Sequence, residues 1–298
     1  MKKGKKLALI IAEIVLAVGL AVTVASLAIS DFNVSELFGN QKTSYEVSDF
    51  DAFERISIRE SFCNVRIEST AGDPYIEYTG SGSVTHNATV DDGMLVIEGV
   101  DGRKWYEKIL SFVDSDLTLY LPHITGYEIE ITTSSGNVTV AGGISAKSVN
   151  ITTVSGNVEC GSDASEGATV EATSGNVSFN GCHGKRISAK TTSGEIYAGG
   201  AICLEASFES SSGEVELEGV NVRDSLNVKT TSGNIELDEC DSAALKLIST
   251  SGNISGELLS SKIYMAKSTS GNINVPLGVS GGICEITTNS GNIDFERD

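Results

Sequence analysis

The pattern of apolar and polar positions in the second half of the chain repeats every 19 or 20 residues. A Ser-Gly pair, followed by Asn or Glu and then by Val or Ile, occurs nine times. Columns five and seven residues before each glycine, and two and four after it, are mostly apolar. Because residues two apart share one face of a strand, each unit predicts a strand, a Ser-Gly-Asn corner, a second strand and a looser return. The glycines are Gly136, Gly156, Gly175, Gly194, Gly213, Gly233, Gly252, Gly271 and Gly291.

A unit of about 19 residues is too short to enclose a core, so successive units must stack with their apolar columns in register. We therefore predict an all-β fold in which residues 126–298 form a parallel β-solenoid (a single-stranded β-helix) of nine coils. Parallel crossover connections are overwhelmingly right-handed, so we expect a right-handed solenoid. One outward column supports the register, because charges of alternating sign would face each other on consecutive coils. These charges are Glu171, Lys190, Glu209 and Lys229.

The Ser-Gly-Asn corner resembles a nucleophile or phosphate loop, but its nine copies favour a structural role. We expect the serines, from Ser135 to Ser290, to satisfy corner backbone groups through stacked hydroxyls. The glycines are expected to supply a left-handed or otherwise strained φ. Because G-x-S-x-G, P-loop and dinucleotide signatures are absent, we predict a protein that is not an enzyme, with no catalytic, cofactor-binding or metal-ligating residues and no cofactor.

The chain begins with a lysine-rich segment and an apolar run, residues 7–29, that is interrupted only by Glu13. At about 1.5 Å per residue, a helix over this run is long enough for a hydrocarbon core of about 30 Å. We predict a cytoplasmic basic tail at 1–6, a single transmembrane helix (a signal anchor) at 7–29, and an extracellular C-terminal part. A signal peptide cleaved near Ala28 is the alternative, although its usual apolar core is shorter, at about 7–15 residues.

Residues 30–45 are predicted to form a tether, and residues 46–125 to form irregular β coils with an insertion at 103–113. In the first of these coils Cys63 takes the place of the corner glycine, and Ile56, Ile58, Val65 and Ile67 occupy the core columns. The insertion contains the densest cluster of aromatic and apolar residues outside the anchor. It either caps the N-terminal edge of the solenoid or contacts a partner or a membrane surface. Its aromatic residues are Trp105, Tyr106 and Phe112.

The formal net charge of −19 predicts a surface that repels nucleic acid. The densest acidic cluster is predicted to face outward on three consecutive coils. It is either a solvated face or a weak calcium site, since carboxylate oxygens on adjacent coils lie near one another. The cluster comprises Glu216, Glu218, Glu236, Asp238 and Glu257.

Three histidines are scattered along the chain, and the six cysteines have no C-x-x-C pair or other metal-ligand spacing. Cys182 and Cys240 share a repeat position three coils apart, which is too far for a bridge. We predict mostly buried free thiols and no metal or catalytic role for the histidines, which are His86, His123 and His183.

The early coil, the Leu117-Thr118-Leu119-Tyr120-Leu121-Pro122 run and the Thr-Thr-Ser-Gly-Asn-Ile units resemble bacterial β-strand-repeat proteins known as putative adhesins, a domain of unknown function. The resemblance covers roughly residues 47–298. It implies a single-stranded right-handed β-helix, often behind an N-terminal membrane segment and in some members beside regulators of envelope stress. It brings no catalytic residues.

Together these features predict a cell-surface binding or scaffold module held in the cell membrane by residues 7–29. Its expected partners are the cell envelope, a host surface or a neighbouring sensor protein, and its oligomeric state is left open. Self-assembly through the solenoid ends is the structural alternative. A polysaccharide-active enzyme ranks third, because it would need clustered acidic and basic residues in a groove.

Overall fold

The computed structural model describes residues 41–46, 53–105, 114–123 and 125–296. These residues are organised as β-strands, and no helix among them is long and apolar enough to cross a membrane. The predicted transmembrane helix at 7–29 lies outside the described residues, as do positions 106–113 of the predicted insertion.

The strands of the N-terminal part are β1 (Gln41–Glu46), β2 (Arg55–Glu60), β3 (Asn64–Thr70), β4 (Tyr75–Gly80), β5 (Val84–Asp91), β6 (Met94–Asp101) and β7 (Asp116–Pro122). Those of the repeats are β8 (Thr125–Thr133), β9 (Val138–Val140), β10 (Ser145–Thr153), β11 (Val158–Cys160), β12 (Asp163–Ala172), β13 (Val177–Asn180), β14 (His183–Thr191), β15 (Ile196–Gly199), β16 (Ile202–Ser210), β17 (Val215–Glu218), β18 (Asn221–Thr230), β19 (Ile235–Ile248), β20 (Ile254–Leu258), β21 (Lys262–Ser268), β22 (Ile273–Asn274), β23 (Gly282–Thr288) and β24 (Ile293–Glu296).

The repeats build a parallel β-solenoid, as predicted, with about eight turns in the described residues where we expected nine coils. In each coil a long strand of one sheet leads through the Ser-Gly corner into a short strand of a second sheet. The register follows the predicted columns: Val158 pairs with Val138 on one side and with Val177 on the other. In the outward column Lys190 pairs with Glu171 and with Glu209, which confirms the predicted alternation of charge.

The core of the solenoid consists of the four predicted apolar columns and two additional ones. Phe179 and Phe208 are fully buried, and their ring centroids lie 6.2 Å apart. A bulge after Ala146 divides the long strand and adds one of these columns, to which Cys203 and Val222 belong. The other additional column comprises Ile144, Cys182, Ala201, Val220 and Cys240. Each large apolar side chain buried in this way contributes about 1.5–3 kcal/mol before the entropy of ordering is subtracted.

At the C-terminal end the coils do not stack in sequence order, which corrects the prediction of nine consecutive coils. The last coil, β23 and β24, lies directly on β19 and β20. The coil that precedes it in sequence, β21 and β22, lies outside it and pairs only with β23 and β24 among the described residues. The penultimate repeat, and not the last one, therefore forms this end of the solenoid.

Two core columns favour this order, although a third opposes it, because Tyr264 of the penultimate repeat stands where the last repeat has Cys284. The last repeat has Ile286 and Phe295 in columns where the penultimate repeat has Ala266 and Val275. Placing the last repeat inside buries the larger pair, and both Ile286 and Phe295 are almost completely buried. The loop 275–281 provides the extra chain length for the exchange, and Gly281 adopts a positive φ of 108° within it.

The N-terminal end shows the same exchange of order but is closed by antiparallel strands. The first coil, β2 and β3, lies between β8 and β9 on its inner side and β6 and β7 on its outer side. β5 pairs antiparallel with β6, β4 pairs antiparallel with β7, and β1 pairs with β4. β1 includes the last residues of the predicted tether. These strands cover the edges that a bare solenoid would leave open.

Candidate binding surfaces

The repeated corner is held by a hydroxyl three residues before the glycine, and not by the serine directly before it as we predicted. All nine of those serines, from Ser135 to Ser290, are exposed. In the coil of Gly233, by contrast, the Thr230 hydroxyl is buried. It accepts a hydrogen bond from the Gly233 N–H at 3.0 Å and donates one to the Gly213 carbonyl at 3.2 Å. The buried hydroxyl thus links two coils.

The corner glycines are required for close packing between coils, and none of them has the positive φ that we predicted. A Cβ added at Gly194 would lie within 3.0 Å of the Gly175 carbonyl oxygen and carbon. The same clash with the carbonyl of the neighbouring coil recurs at the other corners. Only glycine therefore allows this backbone spacing.

The Asn residues of the corners form a ladder along the solenoid. The Asn157 N–H donates to Asn137 Oδ1 at 2.9 Å, and the Asn176 N–H donates to Asn157 Oδ1 at 3.0 Å. Asn64 of the first coil joins the ladder, which confirms that Cys63 occupies the corner position of a degenerate coil. The buried hydroxyl, the glycine and the Asn amide of the corner are used in stacking, so the repeated motif has a structural role.

The predicted acidic cluster lies on the outer face of the second sheet. Glu216 pairs in register with Glu236, and Glu218 pairs with Asp238. These four side chains are exposed, whereas Glu257 is half-buried and pairs with Glu296 instead. Among the described residues, the cluster does not bring three carboxylates close enough to share one ion. The arrangement fits a solvated acidic face better than a calcium site.

The C-terminal end of the solenoid exposes an apolar surface, which we call the open end: the outermost coil (262–274), the loop 275–281, and the adjoining Leu259 and Ile283. Its most exposed side chains are Leu277, at 96%, and Val279, at 94%. Strands β21 and β22 are paired on one side only within the described part of the chain. The remaining exposed apolar residues are Leu259, Ile263, Met265, Ile273 and Ile283.

A cleft of about 150 Å³ enters the open end between Leu259, Tyr264 and Leu277. Lys262 lines it but is 97% buried, and its ammonium group donates to Asp241 Oδ1 and to the Ser242 carbonyl, at 2.5 and 2.6 Å. Burial has the largest influence on the pKa of the Asp241 carboxyl and raises it. The hydrogen bonds from Lys262, Ser260 and the Ser242 N–H, together with the charge of Lys262, outweigh burial and hold this pKa below its usual value. The cleft is therefore lined by both apolar and polar side chains around a neutralised cation.

A second cluster, which the sequence reasoning missed, lies at the closed N-terminal end. Glu60, Cys63 and His86 are buried and bring their potential ligand atoms within 4.8 Å of one another. The Tyr78 ring packs on the His86 ring, with centroids 4.5 Å apart. Burial, followed by the Glu60 carboxylate, raises the pKa of the Cys63 thiol well above its usual range. Burial also raises the pKa of Tyr78 to about 12.

The other predicted residues lie apart from these surfaces. All six cysteines are buried and free, as predicted. His123 and His183 are exposed, in contrast to His86. Trp105 is 62% exposed, whereas Tyr106 and Phe112 fall outside the described residues, so the two hypotheses for the insertion remain untested.

The chain resembles two solved structures in fold. The alignment with a putative lipid binding protein from Parabacteroides distasonis covers 87% of this chain and 97% of that protein, with a TM-score of 0.55 and 17% identity. The alignment with a putative adhesin from Bacteroides fragilis covers 87% of this chain and 98% of that protein, with a TM-score of 0.51 and 14% identity. At these identities the likeness shows the fold alone. No curated protein matches the sequence.

The family comparison agrees with the repeat pattern and covers almost all of the described residues. The model of the family described as Toastrack DUF4097 matches residues 53–199 and again residues 185–298. The second match falls on coils built from Ser-Gly corners and apolar columns, and the first also includes the N-terminal strands β2–β7. The chain therefore belongs to the Toastrack DUF4097 family.

Proposed function

We propose that the protein is a cell-surface binding module that recognises its partner through the open end of the solenoid. One observation supports this most strongly: seven of the eleven exposed large apolar side chains among the described residues lie at that end. Exposed apolar patches on folded proteins mark interaction sites, whereas single apolar residues on the sides, such as Val154 and Ile202, are ordinary.

The free strand edges favour a partner with an extended segment. Within the described part of the chain, β21 and β22 have no strand paired on their outer side, which lies next to Met265, Leu277 and the cleft. A strand added to such an edge gains main-chain hydrogen bonds, and adjacent apolar pockets select its side chains. The proposed partner is an extended apolar segment of an envelope, host-surface or sensor protein.

The position of the open end suits a protein held at its N terminus. We propose that residues 7–29 anchor the chain in the cell membrane and that the solenoid lies outside the cell. The closed end follows the anchor in sequence, and the open end is built from the last repeats. The open end would then face away from the membrane. We propose binding without catalysis, and a role beside an envelope-stress sensor is one form of this proposal.

Self-assembly is the second candidate, and the same open end supports it. Antiparallel strands close the N-terminal end, so joining the end of one copy to the start of another is disfavoured. Contact between two open ends would instead give a symmetric dimer, which cannot extend into a fibre.

Site-specific photo-crosslinking in intact cells tests this proposal. A photoreactive residue is placed at position 277 of the full chain and, in a matched control, at Ile202, which is 55% exposed on the side of the solenoid. We expect a discrete adduct from position 277 that is absent from position 202. An adduct with a second copy of the chain would support the dimer instead. No adduct at 277, or equal labelling from both positions, would refute binding through the open end.

A further inference from the structure

The cluster of Glu60, Cys63 and His86 combines three kinds of donor atom in a buried place. Glu60 is the last residue of β2, Cys63 lies in the following corner, and His86 lies on β5. The side chains of Glu60 and His86 are each 1% exposed, and Cys63 is fully buried. A carboxylate, a thiol and an imidazole from three segments thus meet without access to bulk water.

The polar atoms of this cluster lack the hydrogen bonds that burial requires. His86 Nε2 lies 2.8 Å from Glu60 Oε1, a distance suitable for a hydrogen bond. Neither of these atoms makes a directed hydrogen bond, however, and His86 Nδ1 has none. Because the distance between Nε2 and Oε1 is short, it is the angle between the two groups that departs from hydrogen-bond geometry. Each such buried atom costs about 1–3 kcal/mol, so three in one place point to a ligand that binds them.

A simple ion pair does not account for the cluster. A protonated His86 would need acceptors for two N–H groups, and Nδ1 has no acceptor within the described part of the chain. Contact between His86 Nε2 and Glu60 Oε1 would in any case leave His86 Nδ1 buried without a partner among the described residues.

We propose that Glu60, Cys63 and His86 bind a zinc ion. Thiolate, imidazole and carboxylate are the donors that zinc takes in proteins, whereas calcium and magnesium take oxygen donors. The thiolate and the carboxylate together carry two negative charges, which neutralise the ion and make its burial feasible. Three protein ligands leave a fourth position for water.

Zinc at this place would fasten the closed end of the solenoid. Cys63, Tyr78 and Val84 form a small apolar cluster separate from the main core, so few apolar contacts secure β5 against the first coil. An ion held by Glu60, Cys63 and His86 would join β2, the corner and β5. The Nε2 and Oε1 atoms would have to separate by about 0.5 Å to reach the spacing of two ligands around tetrahedral zinc.

Metal analysis of the untagged full-length protein, produced with added zinc and purified in detergent, tests this proposal. We expect about one zinc per chain after dialysis against a weak chelator, and a melting temperature that falls by several degrees when a strong chelator removes the ion. Replacing zinc by cobalt should give a thiolate-to-cobalt charge-transfer band in the near ultraviolet.

Variants assign the ligands. Cys63→Ala and His86→Ala should lose the zinc and the chelator effect, whereas the control Cys203→Ala, at another buried cysteine, should keep both. Less than about 0.1 zinc per chain in the unsubstituted protein, together with no cobalt band, would overturn the proposal. Full zinc retention by Cys63→Ala would overturn it as well. The measurements on the unsubstituted protein decide the question even where a variant fails to fold.

Discussion

The buried hydroxyl column gives a quantitative prediction at Thr230. This side chain is 1% exposed and links two coils, because its hydroxyl accepts from the Gly233 N–H and donates to the Gly213 carbonyl. Thr230→Val keeps the shape and branching of the side chain but removes both hydrogen bonds. The substitution therefore isolates the contribution of one hydroxyl to coil stacking.

The expected loss follows from the two backbone groups left unpaired. Each buried donor or acceptor without a partner costs about 1–3 kcal/mol, so we expect Thr230→Val to lower the free energy of unfolding by about 2–6 kcal/mol. For a domain of this size, that loss corresponds to a fall in melting temperature of about 4–24 °C.

Thermal unfolding of the full-length protein in detergent, followed by circular dichroism, measures this loss. Thr231→Val is the matched control, because its side chain is the exposed neighbour of Thr230. The control should change the free energy of unfolding by no more than about 0.5 kcal/mol. If both variants melted within about 2 °C of each other, the hydroxyl column would not hold the coils together.

Three further predictions concern the corner, the Lys262 pair and the thiols. Gly194→Ala should destabilise the protein by about 1–3 kcal/mol or more, because its Cβ meets the Gly175 carbonyl, whereas Gly72→Ala, in open space, should have little effect in denaturant unfolding. Asp241→Ala should lower the melting temperature at neutral pH by leaving Lys262 buried without its carboxylate. Because the pKa of Asp241 is depressed in the folded state, this difference should shrink as the pH falls below about 4; a difference independent of pH would contradict the pairing. Thiol titration should find six reactive cysteines after denaturation and almost none before; fewer than six without reductant would indicate a disulfide.

The periodicity of the sequence was sufficient to predict the coils and their register. The Val or Ile two residues after each glycine marks a column of side chains that point into the core, because strand side chains alternate between two faces. The buried hydroxyls were also visible in the sequence, since Ser or Thr stands three residues before eight of the nine glycines. We assigned their role to the neighbouring serines because both columns contain hydroxyls.

The order of the coils could not be predicted in this way. All repeats share the same columns, so any repeat can stack on any other, and the periodicity does not favour one sequence of coils. The last repeat lies inside, with Phe295 buried, and the columns that all repeats share do not specify this arrangement. The cluster of Glu60, Cys63 and His86 was missed for a related reason. His86 reaches the corner through an antiparallel strand outside the repeat, at a spacing typical of no metal motif.

The exchange of the last two repeats creates the open end, and disulfide crosslinking tests it most directly. Lys246 pairs in register with Glu285, and Glu285 pairs with Met265. Cα atoms on adjacent strands lie about 4.8 Å apart, within the range for a disulfide, whereas two strand spacings exceed that range. We therefore expect Lys246→Cys with Glu285→Cys to form a disulfide on mild oxidation, and Lys246→Cys with Met265→Cys to form none. A disulfide between positions 246 and 265, with none between 246 and 285, would mean that the coils stack in sequence order and would contradict this account.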